Sequence, residues 1–235
     1  MNLILLFPDD FADARRVVLR DRRFLHARDT HRAQVGASLR VGLLGGNQGT
    51  GLVTRMEPDL LELEVELLQA PPPKLPLILL MALPRPKALN RVLASATSLG
   101  AAQIHLINAW KVEKSYWKSP RLEPANLLHQ RVLGLEQAKD TVLPTLHLHR
   151  LFRPFAEEVL PSLVADRLAL VAHPGAWEPC PRQVTGPVTL ALGPEGGWTD
   201  PEMQTLIARG VRPVALGPRI LRTETAVAAL VGRLF

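Results

Sequence analysis

The hydrophobic pattern changes character near residue 70. Before it, short apolar or alternating runs separated by turn residues predict strands at 2–7, 16–20, 39–44, 52–56 and 60–67. The last strand alternates apolar and acidic side chains from Leu61 to Leu67, as expected for one buried face. Residues 22–33 favour a short basic helix, and the Gly-rich segment 45–51 favours a hairpin turn. A small β-barrel over residues 1–70 is therefore expected.

Residues 70–76 read APPPKLP, the composition of a stiff extended connector and a natural domain boundary. Beyond it, apolar strands alternate with helix-period segments, which predicts an α/β domain with a parallel sheet over residues 76–235. Strands are expected at 77–82, 103–108, 145–149 and 167–172, and helices at 88–99, 124–139 and 153–160.

The C-terminal part of this domain repeats one arrangement. Apolar runs starting at Val188 and Val214 both end in the tetrapeptide ALGP, at 191–194 and 215–218. Between them, Thr199 and Glu202 have the spacing of a helix capping box, and Gly210 follows the last periodic residue. Strand, helix and strand in so short a segment predict two neighbouring parallel strands. Ligands of open α/β sheets bind at the carboxyl ends of such strands.

The loops that follow these two strands have unusual chemistry. Their glycines let the main chain approach a ligand closely, and their prolines make it stiff. A single Gly-Pro pair is an ordinary strand terminator, but two pairs interspersed with charged side chains favour a binding site. No phosphate-binding glycine motif of the nucleotide-binding types is present. The charged side chains are Glu195, Arg219, Arg222 and Glu224.

The composition indicates that the protein binds an anionic partner. The net charge is +6, and residues 15–40 hold eight arginines against two aspartates, while residues 74–139 hold ten basic residues against three glutamates. Such stretches are often solvated faces, yet two of them favour a nucleic-acid footprint. A single cysteine, Cys180, excludes a disulfide framework, and no apolar run reaches membrane-spanning length. A cytoplasmic protein with no membrane partner is expected.

The two Gly-rich segments read LGPEGGW at 192–198 and LGPRILRTETA at 216–226. Together they closely resemble the paired signature of the 16S rRNA uridine-N3 methyltransferases, the small-subunit "E" type of the SPOUT superfamily. The resemblance implies a deep trefoil knot in the C-terminal domain, S-adenosylmethionine held by the knot loops, an obligate homodimer and a PUA-like N-terminal barrel used on RNA. The expected partner is 16S rRNA of the small ribosomal subunit, and no metal is needed.

The chemistry of methyl transfer to uracil N3 suggests roles for the charged residues of these loops. Arg222 would stabilise negative charge on the uracil oxygens, and Glu195 or Glu224 would accept the N3 proton. Other roles stay open: Glu224 suits the first turn of a helix, and Arg219 and Arg222 suit phosphate clamps. The expected cofactor-binding residues are His173, Leu192, Gly193, Pro194, Gly196, Gly197, Leu216, Gly217, Ile220, Leu221 and Thr225.

RNA contacts are expected from basic side chains in both domains. Residues 110–117, WKVEKSYW, place aromatics among lysines, which suits stacking on unpaired bases or, equally, packing under surface lysines. The chain departs from the family pattern in residues 26–32, and Lys139 stands where the family has Arg. The expected RNA-binding residues are Arg22, Arg23, His26, Arg28, Arg32, Arg85, Lys87, Lys111, Lys114 and Arg219.

Two further features bear on partners. His147 and His149 share one strand face, but a metal site needs a third ligand, so a solvent-facing pair is the preferred interpretation. The final helix, residues 224–234, is apolar nearly all round and must be buried, plausibly against a second copy.

Three functions compete at this point. The first is an rRNA uridine-N3 methyltransferase, and the second is a SPOUT enzyme acting on another base or RNA. The third is a non-catalytic RNA-binding protein that keeps the fold, against which the intact RTETA motif at 222–226 argues.

Overall fold

The computed structural model describes residues 1–235 and divides into two compact units. The first unit contains Met1–Pro73 and Val132–Leu143, and the second contains Lys74–Arg131 and Pro144–Phe235. The chain passes from the first unit to the second within the proline-rich connector. The hydrophobic pattern gave no sign that residues 132–143 belong with the N-terminal strands.

The first unit is a curled, mixed five-stranded sheet. Its strands are β1 (Ile4–Leu6), β2 (Arg16–Leu19), β3 (Ser38–Leu43), β4 (Gln48–Glu57) and β5 (Leu60–Gln69), and its helix is α1 (Arg22–Asp29). The order is β1-β3-β4-β5-β2, with β1 and β3 parallel and the other pairs antiparallel. The expected strands and hairpin are confirmed, but the sheet is an open half-barrel because its edge strands β1 and β2 do not pair.

Alternation produces the core of this unit. In β5, Leu61, Leu63 and Val65 are buried while Glu64 and Glu66 are exposed. Behind the sheet, Leu3 and Leu5 pack against Val132 and Leu135. The main-chain N–H groups of Asn2 and Leu3 donate to the Glu136 carbonyl at 3.0 and 3.1 Å. These contacts hold residues 132–143 in the first unit.

The second unit is an all-parallel α/β fold. Its strands are β6 (Leu75–Ala82), β7 (Ala101–Ile107), β8 (Thr145–His149), β9 (Leu168–Ala172), β10 (Val188–Leu192) and β11 (Arg212–Val214). Its helices are α2 (Pro86–Ser98), α4 (Phe152–Pro154), α5 (Leu160–Val164), α6 (Asp200–Ala208) and α7 (Thr223–Leu234), and a π-helical turn, Phe155–Val159, joins α4 to α5. Helix α3 (Pro124–Ala138) begins in this unit, and its residues from Val132 onwards belong to the first unit. No helix combines the length and apolar character needed to cross a bilayer.

The strand order is β11-β9-β10-β6-β7-β8. The sequence-based expectation that β10 and β11 are neighbours is wrong, because β9 lies between them and pairs with both in parallel. A helix that connects two strands makes them parallel. It does not make them neighbours, because an earlier strand can lie between them, as β9 does here. The carboxyl ends of all three strands still share one edge, with Ala172 opposite Leu192 on one side and Val214 on the other.

Local signals set the ends of the helices. Thr199 and Glu202 form the predicted capping box at the start of α6, and Gly210 follows this helix with φ of 86°. Helix α1 ends at Asp29, short of the expected residue 33, and Arg32 has φ of 50°. In α7, Val227, Leu230 and Val231 are buried, while Thr225, Ala228 and Gly232 are exposed. The expectation that all of α7 is buried therefore does not hold within one copy.

Candidate active site

A cavity of about 670 Å³ opens at the carboxyl ends of β9, β10 and β11. Its walls come from the loops that follow these strands, from the first part of α7 and from Lys111 after β7. Both Gly-rich signature segments therefore line one space, although their strands are not neighbours. The volume lies in the range of small-molecule sites.

Nearly all the residues expected to bind cofactor lie on this cavity, and the exception is Thr225, which is exposed on α7. Several lining residues were not foreseen because they are ordinary apolar or small residues whose position depends on the fold. The lining residues that were expected are His173, Leu192, Gly193, Pro194, Gly196, Gly197, Leu216, Gly217, Ile220 and Leu221. Pro174 also lines the cavity, as the resemblance of the His173-Pro174 pair to the family's His-Pro implies, and the unforeseen residues are Ala172, Trp198, Val214, Thr223, Ala226 and Leu230.

Two glycines, Gly217 and Gly193, show why the cavity wall lacks side chains at these positions. Gly217 has φ of 153°, a conformation that residues with a side chain rarely adopt, and a Cβ there would meet nothing within 4 Å. A side chain at Gly217 would therefore project into open space beside the cavity. A Cβ at Gly193 would meet Cδ1 of Trp198 at 3.0 Å, so the indole packs directly on this main chain.

Of the three expected catalytic residues, Arg222 and Glu195 line the cavity and Glu224 does not. Arg222 is exposed and immediately precedes α7. The Glu195 carboxylate accepts a hydrogen bond from the Arg85 main-chain N–H at 3.1 Å, and the Arg85 Nε lies 3.9 Å away. Of the two candidate carboxylates, Glu195 is thus the one that lines the same cavity as Arg222.

Glu224 has a different environment. Its carboxylate pairs with the Arg91 guanidinium on α2 at 3.0 Å. Main-chain hydrogen bonding at the start of α7, followed by the contact with Arg91, lowers the pKa of Glu224. A lowered pKa makes Glu224 a weaker proton acceptor, and its position suits a carboxylate in the first turn of a helix.

His173 lies at the end of β9, half-buried on the cavity wall. Its main-chain N–H donates to the Val214 carbonyl at 3.0 Å, and its Nδ1 accepts from the Gly175 N–H at 3.1 Å. These bonds hold the imidazole between the ends of β9 and β11.

Basic side chains expected to bind RNA surround this cavity. Lys111 and Arg219 line it, Arg85 and Lys114 are exposed in the segments after β6 and β7, and Lys87 is exposed in the first turn of α2. The Lys111 ammonium donates to the Gly196 carbonyl at 2.8 Å, so the loop after β7 is attached to the signature loop.

The basic residues of the first unit that were expected to bind RNA differ in their exposure and in their ion pairs. The Arg23 guanidinium is buried and bonds to Asp10, Asp21 and the Leu5 carbonyl, which is a structural role and removes it from the RNA surface. Arg22 forms a bidentate pair with Glu136, with both distances 2.9 Å. Arg28 pairs with Asp29 at 2.6 Å, His26 is half-buried, and Arg32 is exposed.

The two histidines of β8 have a third partner that the linear sequence did not reveal. His105 on β7 stacks on His147, with ring centroids 4.6 Å apart, and its Nδ1 lies 2.9 Å from Nε2 of His149. Burial, then the charges of His147 and His149, lower the pKa of His105 to about 3. No group of three side chains is arranged to hold a metal ion.

Comparisons with known proteins agree with this geometry. A family model described as an RNA methyltransferase domain matches residues 71–234. The ribosomal RNA small subunit methyltransferase E of Treponema pallidum is 31% identical over 97% of this chain and 88% of its own length. The protein of the same name from Synechocystis is 32% identical over 65% of this chain and half of its own length.

Among solved structures, the ribosomal RNA small subunit methyltransferase E of Neisseria gonorrhoeae, bound to S-adenosyl methionine, superposes with a TM-score of 0.75 at 22% identity. The match covers 98% of this chain and 95% of the other. This likeness shows the fold of both units.

Proposed function

This chain belongs to the RNA methyltransferase family that includes ribosomal RNA small subunit methyltransferase E, and we propose that it methylates 16S rRNA. The specific reaction we propose is transfer of a methyl group from S-adenosylmethionine to N3 of a uridine. The observation that carries the proposal is the single cavity on which both signature loops, Arg222 and Glu195 converge.

The cavity fits S-adenosylmethionine in size and chemistry. Leu192, Leu216 and Leu230 provide apolar walls for an adenine ring, and the glycines leave main-chain groups accessible to the polar parts of the cofactor. The conformation of Gly217 and the space beside it suit a ligand lying against main chain. When bound, the cofactor supplies a methyl group on a positively charged sulfur.

In the proposed reaction, Glu195 and Arg222 have separate catalytic roles. Uracil N3 carries a proton and is a poor nucleophile until that proton leaves. Glu195 accepts it, directly or through water, because one carboxylate oxygen keeps acceptor capacity beside its bond to Arg85. Arg222 stabilises the negative charge that develops on the flanking uracil oxygens. The loops align the reacting atoms, which is the larger part of catalysis in a direct displacement.

A direct test uses small ribosomal subunits from cells that lack this gene. Incubation with the protein and methyl-labelled S-adenosylmethionine, followed by nuclease digestion and mass spectrometry, would locate the product. We expect N3-methyluridine in 16S rRNA. Label on another base or RNA would support the second hypothesis, and absence of both label and calorimetric cofactor binding would support the non-catalytic one.

The homodimer, the knot and the cytoplasmic location form part of the same proposal. The exposed small residues of α7, Thr225, Ala228 and Gly232, suit close packing against a second copy. The position of β10 between β6 and β9, with β11 outside β9, supports a knotted crossing. Light scattering should give a mass of about twice 25.9 kDa, and Ala228→Arg should reduce it to one copy. A wild-type mass of one copy would contradict the dimer.

A further inference from the structure

Trp110 is one of two strongly exposed tryptophans of the second unit, the other being Trp177. Its side chain is 84% exposed, whereas Trp117 and Trp198 are buried. Trp117 also donates from its indole N–H to Asn108 at 2.9 Å. The two interpretations of segment 110–117 therefore separate by residue, because Trp117 packs and Trp110 does not. Single exposed apolar residues are common, so the case for Trp110 depends on the loop that carries the ring and on the groups around it.

The main chain beneath this ring is held in place. Glu202, buried at the start of α6, accepts a hydrogen bond from the Trp110 N–H at 2.7 Å. The preceding residue, Ala109, is buried and accepts from the Val112 N–H at 3.0 Å. Trp110 is thus an exposed ring on a fixed loop.

This loop lies at the cavity. Lys111, the next residue, lines the cavity and bonds to the Gly196 carbonyl at 2.8 Å. Consecutive Cα atoms are about 3.8 Å apart, so the main chain of Trp110 lies next to a residue of the cavity wall.

The surroundings of the ring carry positive charge. Lys111, Lys114 and Lys118 are exposed on the same segment, opposed there by Glu113 alone. Arg219 and Arg222 add charge on the other loop of the cavity. A flat aromatic surface beside basic side chains is the combination that binds single-stranded nucleic acid, through stacking on bases and attraction of phosphates.

We infer that Trp110 stacks on an unpaired RNA base adjacent to the nucleotide that enters the cavity. This inference rests on the proposed function, of which it specifies the substrate contact. The stack holds the strand in register while the neighbouring base is methylated. Glu202 is a positioning residue for this contact, since it holds the main chain of Trp110.

The test compares Trp110→Ala and Trp110→Phe with Trp177→Ala, a matched control on a fully exposed tryptophan that does not line the cavity. The probe is a dye-labelled oligouridylate of about ten nucleotides, and affinity is measured by fluorescence anisotropy with saturating S-adenosylmethionine. Trp110→Ala should weaken binding about 5- to 100-fold, because stacking one base contributes that much. Trp110→Phe should retain most of the affinity, and Trp177→Ala should match the wild type.

Calorimetric cofactor affinity, thermal unfolding and light-scattering mass should be the same in all variants. Wild-type RNA affinity in Trp110→Ala, or an equal loss in Trp177→Ala, would overturn the inference. A lower mass for Trp110→Ala would also overturn it, because the ring would then contact a second copy. If the protein binds oligouridylate through Trp110 yet fails to methylate small subunits, the proposed function fails and this inference survives.

Discussion

The Glu202 carboxylate joins two loops of the active-site edge by accepting a hydrogen bond from the Trp110 main-chain N–H at 2.7 Å. Its other oxygen accepts from the N–H and hydroxyl of Thr199 at 2.9 and 2.8 Å. Glu202 is only 6% exposed, so its carboxylate has little access to water and depends on these donors. One side chain thus caps α6 and fixes the loop after β7.

Glu202→Ala should lower the free energy of unfolding by about 2–4 kcal/mol, because buried donors lose their acceptor. Urea denaturation measures the change. Glu202→Gln keeps one acceptor oxygen and should recover part of the loss. Glu157→Ala is the control, because Glu157 pairs only with exposed Arg153 and should change stability little. Equal effects of the two alanine substitutions would contradict the role of Glu202.

Gly217→Ala should weaken S-adenosylmethionine binding at least about tenfold, since a side chain strains a residue at φ of 153° and would shift the main chain of the cavity wall. Isothermal calorimetry provides the measurement. Gly36→Ala is the matched control: Gly36 also has positive φ, 89°, with open space around it, but belongs to the first unit. It should lower stability and leave cofactor affinity unchanged. The prediction fails if Gly217→Ala binds cofactor as the wild type does.

Arg222→Ala should keep cofactor affinity within about threefold and reduce kcat about 100- to 1000-fold, the usual effect of removing a donor to a developing oxyanion. Single-turnover methylation and calorimetry separate the two effects. Arg209→Ala removes an exposed arginine at the end of α6 and should change neither. Parallel loss of binding and turnover in Arg222→Ala would refute a catalytic role.

Arg22→Ala should destabilise the protein by about 3–5 kcal/mol, because Glu136, 1% exposed, would keep a buried charge without its bidentate partner. Thermal and urea unfolding measure the loss. The double variant Arg22→Met with Glu136→Leu should recover most of it, since both charges are gone. An unchanged unfolding free energy in Arg22→Ala would show that the ion pair does not stabilise the protein. Arg22 would then remain a candidate RNA-binding residue.

The histidine group predicts acid sensitivity. Burial lowers the pKa of His105 to about 3 in the folded protein, whereas an unfolded histidine titrates near about 6.5. As pH falls below 6.5, the unfolded chain gains a proton at this position that the folded chain does not. Stability is therefore lost between about pH 6.5 and 3, by about 1.4 kcal/mol from pH 7.5 to 5.5.

His105→Gln should remove that part of the pH dependence. Urea denaturation at the two pH values gives the difference, and subtraction from the wild type cancels the carboxylates common to both proteins. His129→Gln, on an exposed side chain, should retain the wild-type slope. A wild-type slope in His105→Gln would show that this imidazole is protonated inside the fold.

The sequence by itself determined the local structure and the chemistry of the signature loops. Alternation defined β5, the Thr199 and Glu202 spacing defined the start of α6, and the paired glycine motifs marked most of the cavity lining. These features depend on backbone conformation and on residues near one another in the chain.

Only the tertiary structure decided which distant segments meet. It placed β9 between β10 and β11, residues 132–143 in the first unit, and His105 against His149. It also separated Glu195, on the cavity wall, from Glu224, paired with Arg91. Hydrophobic periodicity specifies which face of a strand or helix is buried and carries no information about which other element covers that face. That choice depends on packing across the whole sheet.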